Sequence, residues 1–146
     1  NKHSIFFIGR NVDYAVAMEG SLKLKEISYI HSEAYAGGEL KHGTISLIEP
    51  GTLVVTLATC DRLVEKIKSN AEEVKARGAY LLAVAVEGDD RLAKVADAVF
   101  YVPKTEALLQ PSLAVIPLQL FAYYVASQKG CSIDQPKNLA KSVTVE

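Results

Sequence analysis

The sequence predicts a three-layer αβα domain, in which helices cover both faces of a parallel sheet. Four short apolar runs are continuous rather than alternating, which is typical of strands buried on both faces. Longer segments with apolar residues at helical spacing separate these runs, and such alternation favours a parallel sheet. The length of 146 residues suits one domain, and 49% hydrophobic with 23% charged residues is an ordinary globular composition.

The apolar runs predict strands at residues 4–8, 53–58, 80–86 and 99–102. Residues 32–36 are less apolar, so they add at most an edge strand, and the sheet is expected to have four to five strands. With this strand included, the chain fits a flavodoxin-like fold with the strand order 2-1-3-4-5.

Four helices are predicted, at residues 13–30, 62–77, 91–96 and 111–129. The second is the most regular, because its apolar residues recur at helical spacing. These residues are Val64, Ile67, Ala71 and Val74.

Capping residues and prolines refine these helices. Asp61 is a candidate N-cap for the second helix and Gly78 a C-terminal stop. Gly130 closes the last helix, and Pro117 is expected to kink it.

Composition excludes several classes of function. The formal net charge of −1 gives no reason to expect a nucleic acid or membrane-surface partner, and no apolar run approaches the roughly 20 residues of a membrane span. Cys60 and Cys131 lack metal or redox spacing and are expected to be idle thiols in a cytoplasmic protein. No group of His, Cys, Asp and Glu has metal-ligand spacing, so neither a metal nor a cofactor is expected.

The chain is expected to divide into a domain at residues 1–131 and an irregular C-terminal arm at residues 132–146, which lacks periodicity. In open α/β sheets, ligands bind beyond the carboxyl ends of the strands. The corresponding loops are residues 9–12, 59–61 and 87–90. None contains the GxGxxG pattern of a dinucleotide site.

The segment EGSLKLKE carries the first candidate for chemistry. Glu19, Lys23 and Glu26 are spaced i, i+4 and i+7, so on a helix they share a face within about 60°. A carboxylate beside an ammonium at the edge of an apolar stripe is a credible proton-transfer pair. The alternative is a set of surface ion pairs, each worth about 0.2–0.5 kcal/mol.

Two further candidates lie in GGELKHG and NLAKS. His42 is flanked by glycine, which permits close approach of a ligand. Lys141 lies among small and apolar residues, and a desolvated lysine can form a Schiff base with a carbonyl substrate. The alternatives are an exposed loop histidine and a solvated lysine.

These segments together carry a family resemblance. EGSLKLKEISYIHSEAYAGGELKHG, followed by DQPKNLAKSVTVE, resembles the second sugar isomerase (SIS) domain of the isomerising glutamine–fructose-6-phosphate aminotransferases, the glucosamine-6-phosphate synthases. The resemblance covers essentially the whole chain, and NLAKSVTVE is its most specific part. It implies a cytoplasmic homodimer that converts D-fructose 6-phosphate and L-glutamine to D-glucosamine 6-phosphate and L-glutamate.

The resemblance also implies a role for each candidate. Glu26 would move the proton between C1 and C2 of the sugar, and Lys23 would assist ring opening or charge balance. His42 would act in ring opening, reaching the site from the neighbouring subunit. Lys141 would form an imine with the open-chain ketose, and the backbone of Ala140 would lie near the sugar.

The same resemblance implies missing partners. A glutaminase domain would supply ammonia, and a first SIS domain would hold the sugar phosphate in a Ser/Thr-rich loop. The isolated chain is therefore expected to be inactive. Two alternatives are a non-catalytic SIS module that senses sugar phosphates and a fructosamine-type deglycase of the same superfamily.

Overall fold

The computed structural model describes residues 4–137, and within this range the chain forms five strands and three α-helices. The strands are β1 (Ile5–Gly9), β2 (Ser32–Ala36), β3 (Leu53–Ala58), β4 (Tyr80–Val86) and β5 (Ala98–Val102). The helices are α1 (Val12–Ser28), α2 (Val64–Lys75) and α3 (Gln110–Gln128). Short 3₁₀ helices occupy Gly37–His42, Thr44–Leu47 and Asp61–Leu63.

The five strands form one parallel sheet in the order β2-β1-β3-β4-β5. This confirms the predicted flavodoxin-like order and the fifth strand at residues 32–36. In the register of the sheet, Phe7 of β1 pairs with Ala34 of β2 and with Val55 of β3.

The sheet separates two cores, which makes the three predicted layers. On one face, α1 and α3 pack over strand residues that include Phe7 and Val55. On the other face, α2 and the 3₁₀ helix Gly37–His42 pack over strand residues that include Ile8 and Val54. Residues on opposite faces alternate along each strand, as strand geometry requires.

Helices α1 and α3 approach each other closely at Gly20. A Cβ at this position would lie 2.6 Å from Leu118 Cδ1 and 3.2 Å from Phe7 Cε1. Pro117 lies inside α3, and its kink stays a prediction. None of the helices within residues 4–137 combines the length and apolar character needed to cross a bilayer.

The helix predicted at residues 91–96 is wrong, because this segment forms turns. Its backbone bonds are short-range, for example Ala93 N–H to the Asp90 carbonyl at 3.1 Å. The Asp89 carboxylate also accepts the N–H of Arg91 at 3.1 Å and its guanidinium, which fixes a turn at the start of the segment.

The N-cap predicted at Asp61 is also wrong. A 3₁₀ helix, Asp61–Leu63, precedes α2, and no side-chain capping bond is made at either start. The Asp61 carboxylate instead pairs with the Arg91 guanidinium at 2.5 Å. Gly78 does terminate α2, since it has φ 85° and its N–H donates to the Lys75 carbonyl.

Candidate active site on helix α1

Helix α1 brings together the first two predicted site residues. Lys23 Nζ lies 2.7 Å from Glu26 Oε2 and 3.4 Å from Glu19 Oε1. The Lys23 and Glu26 side chains are 33% and 23% exposed, so both are partly withdrawn from water yet remain open to a ligand. The helical spacing seen in the sequence therefore produces the contact between Lys23 and Glu26, and their role in proton transfer stays a prediction.

The opposite side of α1 holds the helix firmly against the sheet. Leu24 is fully buried, and the Ser21 and Ser32 hydroxyls lie 2.9 Å apart between α1 and β2. The Ser28 hydroxyl donates to the Leu24 carbonyl at 2.6 Å. Lys23 and Glu26 thus lie on a helix whose other side is well packed.

The ion pair determines the charge of Lys23. The hydrogen bond to Glu26 raises the pKa of Lys23 above its ordinary value of 10.5, with a further contribution from the charge of Glu19 and an opposing one from burial. Lys23 is therefore a cation at neutral pH. It can donate a hydrogen bond or balance negative charge, but it is not a base there.

The C-terminal segment crosses the end of α1 near this pair. The Lys137 backbone N–H donates to the Tyr29 hydroxyl at 2.8 Å, and Lys137 Nζ lies 5.2 Å from the centre of the Tyr29 ring. Lys129 Nζ donates to the Ser28 carbonyl at 2.6 Å. A cavity of about 400 Å³ opens between Tyr29 and this segment. Lys141 and Ala140 lie outside the described residues.

His42 is not brought to this pair within one chain. It is exposed at the end of the 3₁₀ helix Gly37–His42, which packs on the α2 face of the sheet. Lys23 and Glu26 stand on α1, which packs on the opposite face. The sheet therefore separates the predicted ring-opening histidine from the predicted carboxylate.

The loops at the carboxyl ends of the strands form a larger cleft of about 1140 Å³. Residues of all three predicted loops line it, including Asn11, Thr59 and Gly88, but Lys23, Glu26 and His42 do not. These loops therefore border a cavity, and the binding of a ligand there stays a prediction. The candidate catalytic pair, however, lies elsewhere.

Asp13, which the sequence reasoning missed, occupies the hydrogen-bond donors of the loop after β3. Its buried carboxylate accepts the N–H groups of Thr59 at 2.8 Å and Cys60 at 3.3 Å, and the Thr59 hydroxyl at 2.5 Å. These donors would otherwise face a bound anion. An acidic residue in the first turn of a helix after a buried strand was the available signal.

A charged cluster lines another wall of the cleft. The Arg91 guanidinium contacts Asp89 at 2.6 Å and Asp61 at 2.5 Å, and it holds the pKa of the Asp89 carboxyl below its ordinary value of 3.8. Among residues 4–137, no three His, Cys, Asp or Glu side chains are grouped to hold a metal ion. The expectation of no metal and no cofactor stays a prediction.

Comparison with known proteins gives a family match. The family model described as "SIS domain" matches residues 1–128. Among curated proteins, the chain is 63% identical over 146 residues to a glutamine–fructose-6-phosphate aminotransferase (isomerizing) of Caldanaerobacter subterraneus subsp. tengcongensis, covering 100% of this chain and 24% of the relative. It is 60% identical over 145 residues to the protein of that name from Clostridium tetani, covering 99% and 24%.

A solved structure gives the same indication. The C-terminal domain of a glucosamine-fructose-6-phosphate aminotransferase from Francisella tularensis superposes with a TM-score of 0.84 and 39% identity. The match covers 92% of this chain and 38% of that one. The chain thus spans about a quarter of the length of the curated relatives.

Proposed function

The chain belongs to the SIS domain family, and on this premise we propose that it is the second SIS domain of an isomerising glutamine–fructose-6-phosphate aminotransferase. In that role it works in the isomerase half of a cytoplasmic enzyme. The reaction converts D-fructose 6-phosphate and L-glutamine to D-glucosamine 6-phosphate and L-glutamate. Residues 1–131 form the SIS domain, and residues 132–146 form the arm that carries the active-site lysine.

The observation that carries the proposal is the half-buried pair on α1, with Lys23 Nζ 2.7 Å from Glu26 Oε2. Conversion of a ketose imine to an aldose requires a base that takes a proton from C1 and returns it to C2. Glu26 performs this transfer, because its carboxylate faces outward from a rigid helix. Lys23, held as a cation by its raised pKa, balances the negative charge that develops on the sugar oxygens.

Chain geometry supports the delivery of Lys141 to the same site. Lys137 contacts Tyr29, which lies one turn beyond Glu26 on the sequence. Lys141 lies four positions after Lys137, and an extended chain of that length spans at most about 14 Å. Lys141 condenses with the C2 carbonyl, releasing water, and the resulting imine accepts ammonia more readily than the ketone. The Lys141 amine then leaves C2, which yields the ketose imine of ammonia. Ala140 lies beside it and contributes backbone contacts to the sugar.

The placement of His42 supports a contribution across a dimer. His42 is exposed on the 3₁₀ helix that packs on the α2 face, while Glu26 stands on α1, which packs on the opposite face, so we infer that one copy of the chain does not unite them. A second copy can place its own His42 at the sugar of the first. There the imidazole serves ring opening, since it exchanges protons near neutral pH.

The phosphate of the sugar is held by another domain. The donors of the loop after β3 are already bonded to Asp13, so the cleft at the strand ends offers no free amide cradle there. Beside the catalytic pair, Met18 and Leu22 are 46% and 42% exposed, and on α3 Ile116 and Leu120 are each 46% exposed. Exposed apolar side chains of this kind suit burial against the first SIS domain, and the glutaminase domain supplies ammonia.

Substitution in the full-length enzyme tests the proposal. Glu26→Gln removes the base without changing size, and synthesis of glucosamine 6-phosphate is expected to fall at least about 100-fold. Lys141→Ala is expected to abolish synthesis. Glutamine hydrolysis should remain measurable in both variants, because it occurs in a separate domain.

Matched controls are available on exposed positions. Glu72→Gln on α2 and Lys25→Ala on α1 repeat the same chemical changes at exposed side chains, and both should leave synthesis unchanged. Normal synthesis in the Glu26→Gln or Lys141→Ala enzyme would remove that residue from the mechanism. Release of glucose 6-phosphate and a free amine from a fructosamine phosphate would instead favour the deglycase alternative.

A further inference from the structure

The buried face of α2 contains one polar side chain among its apolar ones. Asn70 is 4% exposed, and its neighbours on this face are Val64, Ile67, Ala71 and Val74. A buried amide is costly unless it is hydrogen-bonded, and here its Oδ1 accepts the Arg10 Nε–H at 3.1 Å. Asn70 therefore holds Arg10, which follows β1, against the middle of α2.

The 3₁₀ helix Gly37–His42 begins in contact with the Arg10–Asn70 pair. A Cβ on Gly37 would lie 2.5 Å from Asn70 Oδ1 and 3.2 Å from Arg10 Nε. A Cβ on Gly38 would lie 3.5 Å from Arg10 Nη1. Gly37 thus allows the backbone to approach the pair more closely than a residue with a Cβ could, while a Cβ on Gly38 would make only an ordinary contact.

The far end of the same 3₁₀ helix is also attached. Leu40 is fully buried in the core on the α2 face. Lys41 Nζ lies 3.0 Å from Glu73 Oε1, one turn along α2 from Asn70. His42 follows directly and is exposed. The segment is therefore fixed to α2 at its start and near its end, and it presents the histidine to the outside.

We propose that Asn70 and Arg10 are positioning residues for His42: their hydrogen bond, covered by Gly37, holds the 3₁₀ helix Gly37–His42 so that His42 projects at a fixed place. The proposal deepens the proposed function and rests on it for the role of His42. Neither residue touches the sugar. Loss of the hydrogen bond lets the segment detach at Gly37, and the fraction of time that His42 spends in place falls.

Amide hydrogen exchange in the 146-residue chain tests whether the Arg10–Asn70 bond holds the 3₁₀ helix, without any assay of activity. In Asn70→Ala, the amides of residues 37–42 are expected to exchange at least about fivefold faster, while those of β3 and β4 keep their rates. Ser69→Ala, the exposed neighbour on α2, is the matched control and should change neither. Unchanged exchange at residues 37–42 in Asn70→Ala would overturn the proposal.

A second variant covers the case in which Asn70→Ala loosens the whole fold. Arg10→Met removes the donor but keeps an unbranched stem along Gly37, and Arg10 is only half-buried. It should also accelerate exchange at residues 37–42 alone. Asn70→Asp keeps an oxygen acceptor for Arg10 and should restore the slow rates. Fast exchange in Asn70→Asp would also refute the role of this hydrogen bond.

Kinetics of the full-length enzyme test whether the positioning of His42 by Asn70 and Arg10 matters for synthesis. Asn70→Ala is expected to lower kcat for glucosamine 6-phosphate synthesis about tenfold or more, because misplacing a catalytic group is costly. KM for fructose 6-phosphate and the rate of glutamine hydrolysis should stay near their original values, and Asn70→Asp should restore kcat.

His42→Gln separates failure of this inference from failure of the proposed function. If His42→Gln makes product normally, the histidine has no catalytic role, and the proposed function fails at that residue. If His42→Gln is impaired while Asn70→Ala keeps full kcat, the histidine acts without help from Asn70 and Arg10, and the inference is overturned.

Discussion

Asp13 shows how a single side chain can join two elements. Its carboxylate accepts the N–H groups of Thr59 and Cys60, in the turn after β3, together with the Thr59 hydroxyl. These contacts tie the start of α1 to the end of β3, so we expect them to contribute to stability. They also occupy donors that could otherwise bind an anion.

We expect Asp13→Ala to destabilise the chain by about 3 kcal/mol, since buried donors lose their partner. For a domain of this size the melting temperature should fall by roughly 10 °C, measured by calorimetry. Inorganic phosphate should recover part of this loss in Asp13→Ala but have no such effect on the parent chain.

The control for this substitution is Asp134→Ala, an exposed aspartate, which should shift stability by less than about 0.5 kcal/mol. An Asp13→Ala chain as stable as its parent would show that the three contacts carry no net free energy. Equal effects of phosphate on both chains would show that the loop does not become an anion site.

At the scale of elements, most of the helices and strands could be predicted from the periodicity of apolar residues in the sequence. Helix α1 puts Lys23 and Glu26 on one face because three residues make nearly one turn, so their contact follows from spacing alone. Continuous apolar runs located the strands, and the parallel order followed from alternation with helices. Elements with few residues, such as the turns at 91–96, were misjudged because local side-chain bonds override weak periodicity.

The contacts that could not be predicted join residues far apart in the sequence. Asp13 reaches Thr59 across 46 positions, and Arg10 reaches Asn70 across 60. No local pattern specifies such partners. Asn70 could nevertheless have been noticed in the sequence, because it is a polar residue on the apolar stripe of α2. Lys141 and Ala140 lie outside the described residues, so their roles stay predictions.

The packing of α1 on α3 gives a prediction at Gly20. Alanine favours a helix over glycine by about 1 kcal/mol, yet a Cβ here would lie 2.6 Å from Leu118 Cδ1. Leu118 is buried, so the clash should exceed the gain, and we expect Gly20→Ala to lower the free energy of unfolding by about 1 kcal/mol.

A double-mutant cycle with Leu118→Val identifies the cause. If the clash is responsible, the two substitutions together should cost less than the sum of their separate effects by at least about 0.5 kcal/mol in urea unfolding. Additive effects would mean that Gly20→Ala acts through something other than Leu118.

Asp97 links α2 to the start of β5 and gives a prediction about acid. Its carboxylate accepts the Leu81 N–H at 2.7 Å and pairs with Lys75 at 2.8 Å. The Leu81 bond, followed by Lys75, holds the pKa of Asp97 below its ordinary value of 3.8. A lowered pKa contributes stability that is present above the unfolded value and lost as pH falls through the folded one.

Asp97→Asn should therefore be less stable than the parent at neutral pH, and the difference should shrink as pH falls below about 3.8. Urea unfolding between pH 2 and pH 7 measures this, with Asp134→Asn as the exposed control. A difference that stays constant with pH would mean that the charge of Asp97 is not what stabilises this junction.

At the scale of the molecule, residues 4–137 form a well-packed domain whose candidate site residues do not all meet. Two cores flank the sheet, Lys23 and Glu26 stand on α1, and His42 lies on the 3₁₀ helix that packs on the other face. Large apolar side chains are exposed on both α1 and α3. The architecture therefore fits a domain that works in assembly with others.

We accordingly expect the isolated 146-residue chain to form no detectable glucosamine 6-phosphate from fructose 6-phosphate, with glutamine or with ammonia as nitrogen donor. Within residues 4–137, the backbone donors of the loop after β3 are bonded to Asp13, so we expect another domain to hold the sugar phosphate. The full-length enzyme in the same assay is the positive control, and clear turnover by the isolated chain would refute this expectation.

The close contact at Gly20 has a consequence for motion within the domain. The crossing of α1 and α3 leaves no room even for a Cβ at Gly20, so we expect α1 to stay fixed against α3. Slow rearrangements of the domain should then be carried by the segments around α1. In relaxation-dispersion spectra, microsecond-to-millisecond exchange would belong to those segments, with α1 as the quiet frame of reference.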